Sequence, residues 1–232
     1  MPWPSGAEWS VVVLSLKVGL LAVAFTLPLA YAIAWLLARR RFPGRTMLDV
    51  LVNLPLVLPP VVTGWMLLLL FGYNGPVGAL LDRALGVSLV FDWKGAALAS
   101  AVMALPLMVR AMRLSIEAVD RRLVDAARTL GASRWRAFAS VTLPLSLPGV
   151  AVGAMLGFAR SLGEFGATIT FASNIEGATR TLPLAIYSGL QVPGGEAMVT
   201  RLAVISIVLS IGALLASEWM VRRASGGRAH VL

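Results

Sequence analysis

Two side chains of opposite charge, Arg160 and Glu164, stand four residues apart in a stretch that is otherwise uncharged. A spacing of i, i+4 places both on one face of a helix, where a guanidinium and a carboxylate can pair. Hydroxyls at Ser161, Thr168 and Thr170 lie in the same stretch and could replace part of the hydration shell of an anion. The pattern predicts either a structural ion pair or a charged, hydroxylated lining for a transport path.

The composition places these charges inside a membrane protein. Of the 232 residues 58% are apolar and 13% charged, and the mean hydropathy is +0.84, whereas a soluble domain has roughly 45–50% apolar and about 25% charged residues. The chain has no cysteine and one histidine, His230. These counts argue against a thiolate zinc site, a His-rich metal site and a membrane-embedded enzyme.

Five apolar stretches are long enough, or nearly so, to cross a bilayer as helices, which takes about 20 residues. They predict an all-α, polytopic membrane protein with a single domain over residues 1–232, because no polar stretch between them exceeds about 40 residues. A sixth apolar run, 181–190, is too short to span and is expected to form an interfacial or re-entrant helix. The five predicted spans are residues 18–38, 48–71, 95–113, 145–164 and 202–221.

Basic residues predict the orientation of the five spans. Arginines are concentrated in the loop 39–47, the loop 110–141 and the tail 222–228, and all three segments fall on one face when the number of spans is odd. Because basic loops stay in the cytoplasm, the N-terminus is predicted outside and the C-terminus inside. The formal net charge of +9 thus indicates membrane orientation rather than binding to nucleic acid.

A cleaved signal peptide is the alternative for the first apolar stretch, since Ala-Tyr-Ala at 30–32 resembles a cleavage site. No basic residue precedes Lys17, however, and Glu8 lies where a signal peptide carries its positive charge. The arginine cluster follows the apolar run instead of leading it. The pattern favours a first span with its N-terminus outside.

Prolines lie within or at the ends of four spans. Each removes a backbone donor and bends or breaks a helix unless neighbouring groups satisfy the freed carbonyl. Ordinary kinking and broken helices that line a gated pathway both fit this pattern, and the proline density over 55–60 argues against a straight second helix. The prolines concerned are Pro28, Pro55, Pro59, Pro60, Pro106 and Pro148.

Residues 117–144 are too polar to span the membrane and too regular for an unstructured loop. Helix-forming residues precede Gly131, which permits a turn without steric cost. Ser133 can cap a second short helix that carries Trp135 and Phe138. The sequence therefore predicts helix, glycine turn and helix along the cytoplasmic interface.

This loop resembles the EAA loop of ATP-binding cassette importer permeases, in which Glu-Ala-Ala is followed by Gly four residues on and later by Ile-x-Leu-Pro. Asp125 stands for Glu and Val141 for Ile, and the spacing is the same. The resemblance implies a coupling helix that docks into a groove on the nucleotide-binding subunit. The residues that it assigns to ATPase coupling are Asp125, Ala126, Ala127, Gly131, Ala132, Arg134, Leu143 and Pro144.

The resemblance covers nearly the whole chain, which is similar to the molybdate permease family and implies the type I ABC importer permease fold. Sulfate/thiosulfate permeases are the near neighbours, and a tungstate permease is a further alternative. The segments that carry the resemblance are ARRRFPGR, LPLVLPPVVTG, LMVRAMRLSIEAVD, AARTLGASRWRAF, LPLSLPG, FARSLGEFGATITFASNI and TRTLPLAIY.

The resemblance also implies the partners. The chain would form a homodimer in the bacterial inner membrane, with two ABC ATPase subunits in the cytoplasm. A periplasmic molybdate-binding protein would meet the loops 73–92 and 172–200. No Walker A pattern occurs in the sequence, so a non-catalytic subunit without a cofactor of its own is expected, and ATP with Mg²⁺ is used by the partner ATPase.

In such an importer the charged stretch is the candidate translocation path near the two-fold axis. Arg160 would favour passage of an oxyanion, and Glu164 would keep the anion from being trapped. Gly163 and Gly166 flank this region, and we expect them to allow close helix packing. The candidates for the path are Arg160, Ser161, Glu164 and Thr168.

An ATP-independent secondary anion transporter is the remaining alternative. Such a protein would carry internal repeats or intramembrane residues that couple to a proton or ion gradient. The sequence has no convincing repeat, and Glu164 is its one clear intramembrane carboxylate. The ATP-driven importer is therefore the preferred prediction.

Overall fold

Helices account for all regular secondary structure in the computed structural model, which describes residues 5–226, and the predicted all-α class is confirmed. Arg228 and His230 lie outside these residues. Between α7 and α8 the chain forms one π-helical stretch, Phe138–Thr142. The helices are α1 Gly6–Arg39, α2 Arg45–Val57, α3 Pro60–Phe71, α4 Pro76–Leu85, α5 Trp93–Glu117, α6 Arg121–Thr129, α7 Arg134–Ala137, α8 Leu143–Leu162, α9 Gly166–Phe171, α10 Leu182–Leu190 and α11 Glu196–Gly226.

Within residues 5–226, four helical segments are long and apolar enough to cross a membrane: Gly6–Arg39, Trp93–Glu117, Arg134–Leu162 and Glu196–Ala216. The pair formed by α2 and α3 makes a fifth if a bent pair is counted as one span. α1 begins well before the predicted start at residue 18 because Ser5 caps it through a reciprocal capping box. The first span is thus longer than its apolar run.

The second predicted span is broken, as its prolines indicated. α2 ends at Val57, α3 starts at Pro60, and the two helix axes are bent by 117°. Pro59 has extended backbone angles, and Pro60 takes the first helical position, where a missing N–H costs nothing. Pro28 lies inside the continuous helix α1. The adjacent prolines Pro59 and Pro60 therefore interrupt a helix, whereas the single Pro28 does not.

α8 packs closely against α5 through small residues that the sequence analysis did not single out. A Cβ added to Gly149 would overlap the side chain of Ser115, and one added to Gly157 would lie 2.6 Å from Sδ of Met108. Lipid supplies no hydrophobic driving force between helices, so helices in a membrane associate through close backbone packing of this kind. The stripe consists of Gly149, Gly153 and Gly157, at four-residue intervals.

Side-chain contacts fix the relative directions of the long helices. Arg39, at the end of α1, donates to the carbonyl of Ile116 near the end of α5. Glu8, near the start of α1, bonds Arg201 near the start of α11, and Gly149, early in α8, faces the end of α5. α1, α5 and α11 therefore run in one direction and α8 in the other.

These directions give the bundle two distinct ends. The end formed by residues 39–45 and 117–138 carries the arginine-rich loops, and we call it the basic end. The loops 72–92 and 172–195 lie at the opposite end. The placement of the basic end in the cytoplasm stays a prediction from charge.

The opposite end contains a buried ion pair that lies outside the predicted spans. Arg201 Nη2 is 2.6 Å from Oε1 of Glu8, whose Oε2 also accepts the N–H of Ser5 at 2.8 Å.

The run 181–190 forms α10, and the N–H of Leu182 donates to Ser15 Oγ at 2.7 Å. α10 is therefore tied to α1 by a buried hydrogen bond.

Candidate functional site

The loop at the basic end folds as predicted, with a helix, a glycine turn and a second helix. Asp120 caps α6, and Ser133 caps α7 by accepting the N–H of Arg136 at 3.2 Å. Gly131 has φ +90°, in the left-handed region that favours glycine. The N–H of Ala132 donates to the carbonyl of Ala127 at 3.0 Å, which completes a Schellman cap on α6.

Large apolar side chains stand out from this loop alongside the small residues that the sequence singled out. Leu130 is 89% exposed and Trp135 80% exposed, and Leu123 is half exposed. Apolar side chains exposed in this way mark an interaction surface. We call the exposed face of α6, the turn and α7 the coupling surface. Of the predicted coupling residues, those on its exposed side are Asp125, Ala126, Gly131 and Arg134, while Ala127, Ala132 and Leu143 are half-buried and Pro144 is exposed at the start of α8.

An aromatic cluster holds the coupling surface against α1. The ring of Phe138 makes edge contacts with Tyr31, Trp35 and Trp135, at centroid distances of 6.0 to 6.1 Å. The hydroxyl of Tyr31 is 2.8 Å from Ser146 Oγ on α8. The sequence placed Trp135 and Phe138 together on the second helix, but the ring partners Tyr31 and Trp35 come from α1, about 100 residues away, and follow only from the fold.

Arg160 and Glu164 form the ion pair that their spacing predicted, with 2.7 Å between Arg160 Nη1 and Glu164 Oε2. The Glu164 side chain is 1% exposed and that of Arg160 25% exposed. Oε1 of Glu164 also accepts the N–H of Ala167 at 2.8 Å. The carboxylate is thus buried, with an ion-pair contact at Oε2 and a hydrogen bond at Oε1, while the guanidinium keeps part of its surface accessible.

The two charged residues do not lie on one continuous helix, contrary to the prediction from their spacing. α8 ends at Leu162, and α9 begins at Gly166. Glu164 stands in the break, where its carboxylate satisfies the free N–H of Ala167 in the first turn of α9. The i, i+4 spacing correctly predicts that Arg160 pairs with Glu164, but it does not predict the break between the two helices.

Hydroxyl groups around this break are buried without a hydrogen-bond partner in the described part of the chain. They belong to Ser161 and Thr168, both candidates from the sequence, and to Thr63 on α3. Thr170 is not among them, because its hydroxyl donates to the carbonyl of Gly166 at 2.8 Å. Most buried polar groups in proteins have a hydrogen-bond partner. The unpaired hydroxyls next to the ion pair can therefore still form hydrogen bonds to another group.

Close packing of α3 on α9 brings the two helix breaks together. A Cβ on Gly166 would lie 2.7 Å from Cβ of Pro60, and one on Gly64 would lie 2.7 Å from the carbonyl oxygen of Ala167. The expected packing role of Gly166 is confirmed. That of Gly163 is wrong, because Gly163 is exposed at the end of α8 and a Cβ there would meet nothing within 4 Å.

A groove of about 480 Å³ opens beside the break, where the end of α8 faces α10 and an inner part of α11. Its lining includes Gly163 and Phe165 next to the break and Ser206 and Ser210 on α11. The ion pair that precedes α9 does not line this groove. This groove therefore does not contain the predicted path candidates.

Comparisons with known proteins agree with these features. Residues 27–226 match the family model described as binding-protein-dependent transport system inner membrane component. The chain is 57% identical over 223 residues to the molybdenum transport system permease protein ModB of Escherichia coli K12, covering 95% of this chain and 97% of that protein. It is 40% identical over 179 residues to the sulfate transport system permease protein CysT of the same organism, covering 76% of this chain and 64% of that protein.

Solved structures show the same fold at low sequence identity. A crystal structure of a bacterial alginate ABC transporter, in complex with a periplasmic protein that holds an alginate pentasaccharide, contains a chain that superimposes with a TM-score of 0.73 at 19% identity. The match covers 94% of this chain and 80% of that one. The helix arrangement is therefore shared with a chain of that ABC transporter.

Glu164→Gln tests the energetic weight of the buried ion pair. The change leaves Arg160 without its counter-charge, and because Arg160 keeps some solvent contact we expect the free energy of unfolding to fall by about 2–3 kcal/mol. Glu176→Gln is the matched control, since Glu176 pairs with Arg180 at the same spacing but is 72% exposed. Its expected cost is about 0–1 kcal/mol. Unfolding of both variants in detergent micelles is the measurement, and equal costs would contradict the prediction.

Proposed function

Because the chain belongs to the family of binding-protein-dependent transport system inner membrane components, we propose that it is the transmembrane subunit of an ATP-driven importer that carries molybdate. It is a multi-pass protein of the inner membrane, and ATP hydrolysis belongs to a separate subunit. Two copies of the chain, two ATPase subunits and a periplasmic molybdate-binding protein make up the proposed complex.

The coupling surface is the observation that supports an ATP-driven mechanism. It presents Leu130 and Trp135 to the solvent at the basic end, on a turn held by a Schellman cap. A surface fixed in this way can receive a partner subunit with little loss of conformational entropy. An ATPase that moves on nucleotide binding would displace this surface and thereby the helices attached to it.

The ion pair next to the α8–α9 break supports passage of an anion. The positive charge of Arg160 is partly accessible, and the carboxylate of Glu164 limits how strongly it can hold an anion. The unpaired hydroxyls of Ser161 and Thr168 are buried here, and they would replace part of the lost hydration once the path opens. In the homodimer, the second copy would complete the path that one chain leaves open, near the two-fold axis.

Sequence identity supports molybdate over sulfate as the substrate. The relative named for molybdenum transport shares 57% identity along nearly the whole chain, whereas the relative named for sulfate transport shares 40% over a shorter part. Molybdate and sulfate are both tetrahedral dianions, so the same charged path suits either. Discrimination between them would fall to the periplasmic binding protein.

Uptake by the reconstituted complex tests this function. The chain, its ATPase and its binding protein are placed in liposomes, and radioactive molybdate uptake is measured with and without ATP inside. We expect uptake that requires ATP and the binding protein, and that excess tungstate reduces more than excess sulfate. Uptake without ATP would contradict the ATP-driven mechanism, and stronger competition by sulfate would assign the complex to sulfate.

Gly131→Val tests the coupling turn. At φ +90° a β-branched side chain is strained and would rearrange the turn between α6 and α7. We expect a membrane-inserted protein whose molybdate uptake falls by about 5- to 150-fold, the range that a strain of about 1–3 kcal/mol in the coupling turn corresponds to.

Gly44→Val is the matched control for this change. Gly44 has φ +89°, and like Gly131 it has no atom within 4 Å of an added Cβ, but it precedes α2 outside the coupling surface. Uptake should be retained to a much larger extent than in Gly131→Val. Equal loss in both variants would show that backbone strain at the basic end, rather than the coupling turn, limits transport.

Arg160→Ala tests the proposed path. Removal of the guanidinium takes away the accessible positive charge and leaves a buried carboxylate that repels an anion. We expect the maximal rate of molybdate uptake to fall while the affinity of the isolated binding protein for molybdate stays the same. Arg41→Ala, which removes an exposed cation at the basic end, is the control. Unchanged uptake in Arg160→Ala would indicate a purely structural ion pair.

A further inference from the structure

A two-residue connection joins α5 to the coupling surface. α5 ends at Glu117, and Asp120 already caps α6, so only Ala118 and Val119 lie between them. Val119 is buried. A displacement of α6 therefore acts directly on this connection, which has little length in which to absorb it.

Arg39, the last residue of α1, is bound to this connection. Its Nη2 donates to the carbonyl of Ile116 at 2.9 Å and to that of Val119 at 2.8 Å. The carbonyls at the end of a helix carry partial negative charge, which a guanidinium stabilises. One nitrogen thus links the end of α1 to the last turn of α5 and to the short connection.

The end of α1 is itself firmly held. Leu37, two residues before Arg39, is fully buried, and its carbonyl accepts from Arg45 Nη2 at 2.7 Å. Arg113 on α5 pairs with Asp49 on α2 at 3.2 Å. Arg39 therefore joins the connection to a fixed part of the bundle and not to a loose helix end.

α1 leads from Arg39 to the neighbourhood of the charged site. It is one unbroken helix from Gly6 to Arg39, so Gly19 and Arg39 are about 30 Å apart along the axis. A Cβ on Gly19 would lie 3.1 Å from the ring of Phe158 and 3.7 Å from Cβ of Ser161, next to Arg160. A force on the connection can reach α8 at this site through α1.

We propose that Arg39 is a positioning residue for energy coupling: it transfers movement of the coupling surface to α1 and from there to α8 beside the candidate path. The inference rests on the proposed ATP-driven function. Without the two hydrogen bonds, the ATPase could still dock on the coupling surface and hydrolyse ATP. The connection would then be joined less tightly to α1, which would contact the coupling surface only through the aromatic cluster, and fewer anions would be imported per ATP.

The test compares Arg39→Ala, Arg39→Lys and Arg41→Ala in the complete complex reconstituted in liposomes. Arg41 belongs to the same arginine run and is exposed, so its loss removes an equal charge at the same end of the bundle. Molybdate imported per ATP hydrolysed is the readout, because a loss of folded protein lowers uptake and hydrolysis together and leaves this ratio unchanged.

For Arg39→Ala we expect the ratio to fall roughly 2- to 30-fold, the range that changes in coupled networks produce. Arg39→Lys keeps the charge and a donor and should give an intermediate ratio, while Arg41→Ala should match the unaltered complex. A wild-type ratio in Arg39→Ala, or a proportional loss of uptake and hydrolysis, overturns the inference. If Arg39→Ala does not assemble, a ratio in Arg39→Lys equal to that of Arg41→Ala overturns it. Absence of ATP-dependent uptake in the unaltered complex contradicts the proposed function instead.

Discussion

An interrupted helix inside a membrane must satisfy its free backbone groups within the protein, and the centre of this molecule is organised around that constraint. The breaks between α2 and α3 and between α8 and α9 lie against each other, with Pro60 next to Gly166 and Gly64 next to Ala167. The Glu164 carboxylate accepts one of the N–H groups that the second break frees. The Glu164 carboxylate therefore satisfies a backbone donor as well as the charge of Arg160.

The sequence predicts the features that depend on near neighbours. The apolar runs, the proline break, the cap at Ser133, the turn at Gly131 and the Arg160–Glu164 pair all follow from spacings of a few residues, and the structure contains each of them. The fold class could be predicted for the same reason. The length of an apolar run and the residues that begin or end a helix are local properties of the chain.

The features that escaped prediction depend on residues that are distant in the sequence. The Glu8–Arg201 pair joins positions 193 residues apart, and the glycine stripe of α8 is recognisable only once Ser115 and Met108 of α5 lie opposite it. The break at Glu164 was missed for a related reason. The interruption is tolerated because α3 packs against it, and spacing within α8 and α9 carries no information about α3.

In the proposed importer, force transfer and anion passage make conflicting demands on side chains, and different groups of residues would meet them. Transfer of force requires groups fixed in place, and at the basic end Phe138 is held by three aromatic rings and Asp49 is paired with Arg113. Passage of an anion requires attraction without tight binding, because a deep site would slow release. In the proposed path, the buried carboxylate of Glu164 opposes the positive charge of Arg160, which would keep the attraction for an anion weak. Selectivity for one oxyanion would then come from the proposed periplasmic binding protein.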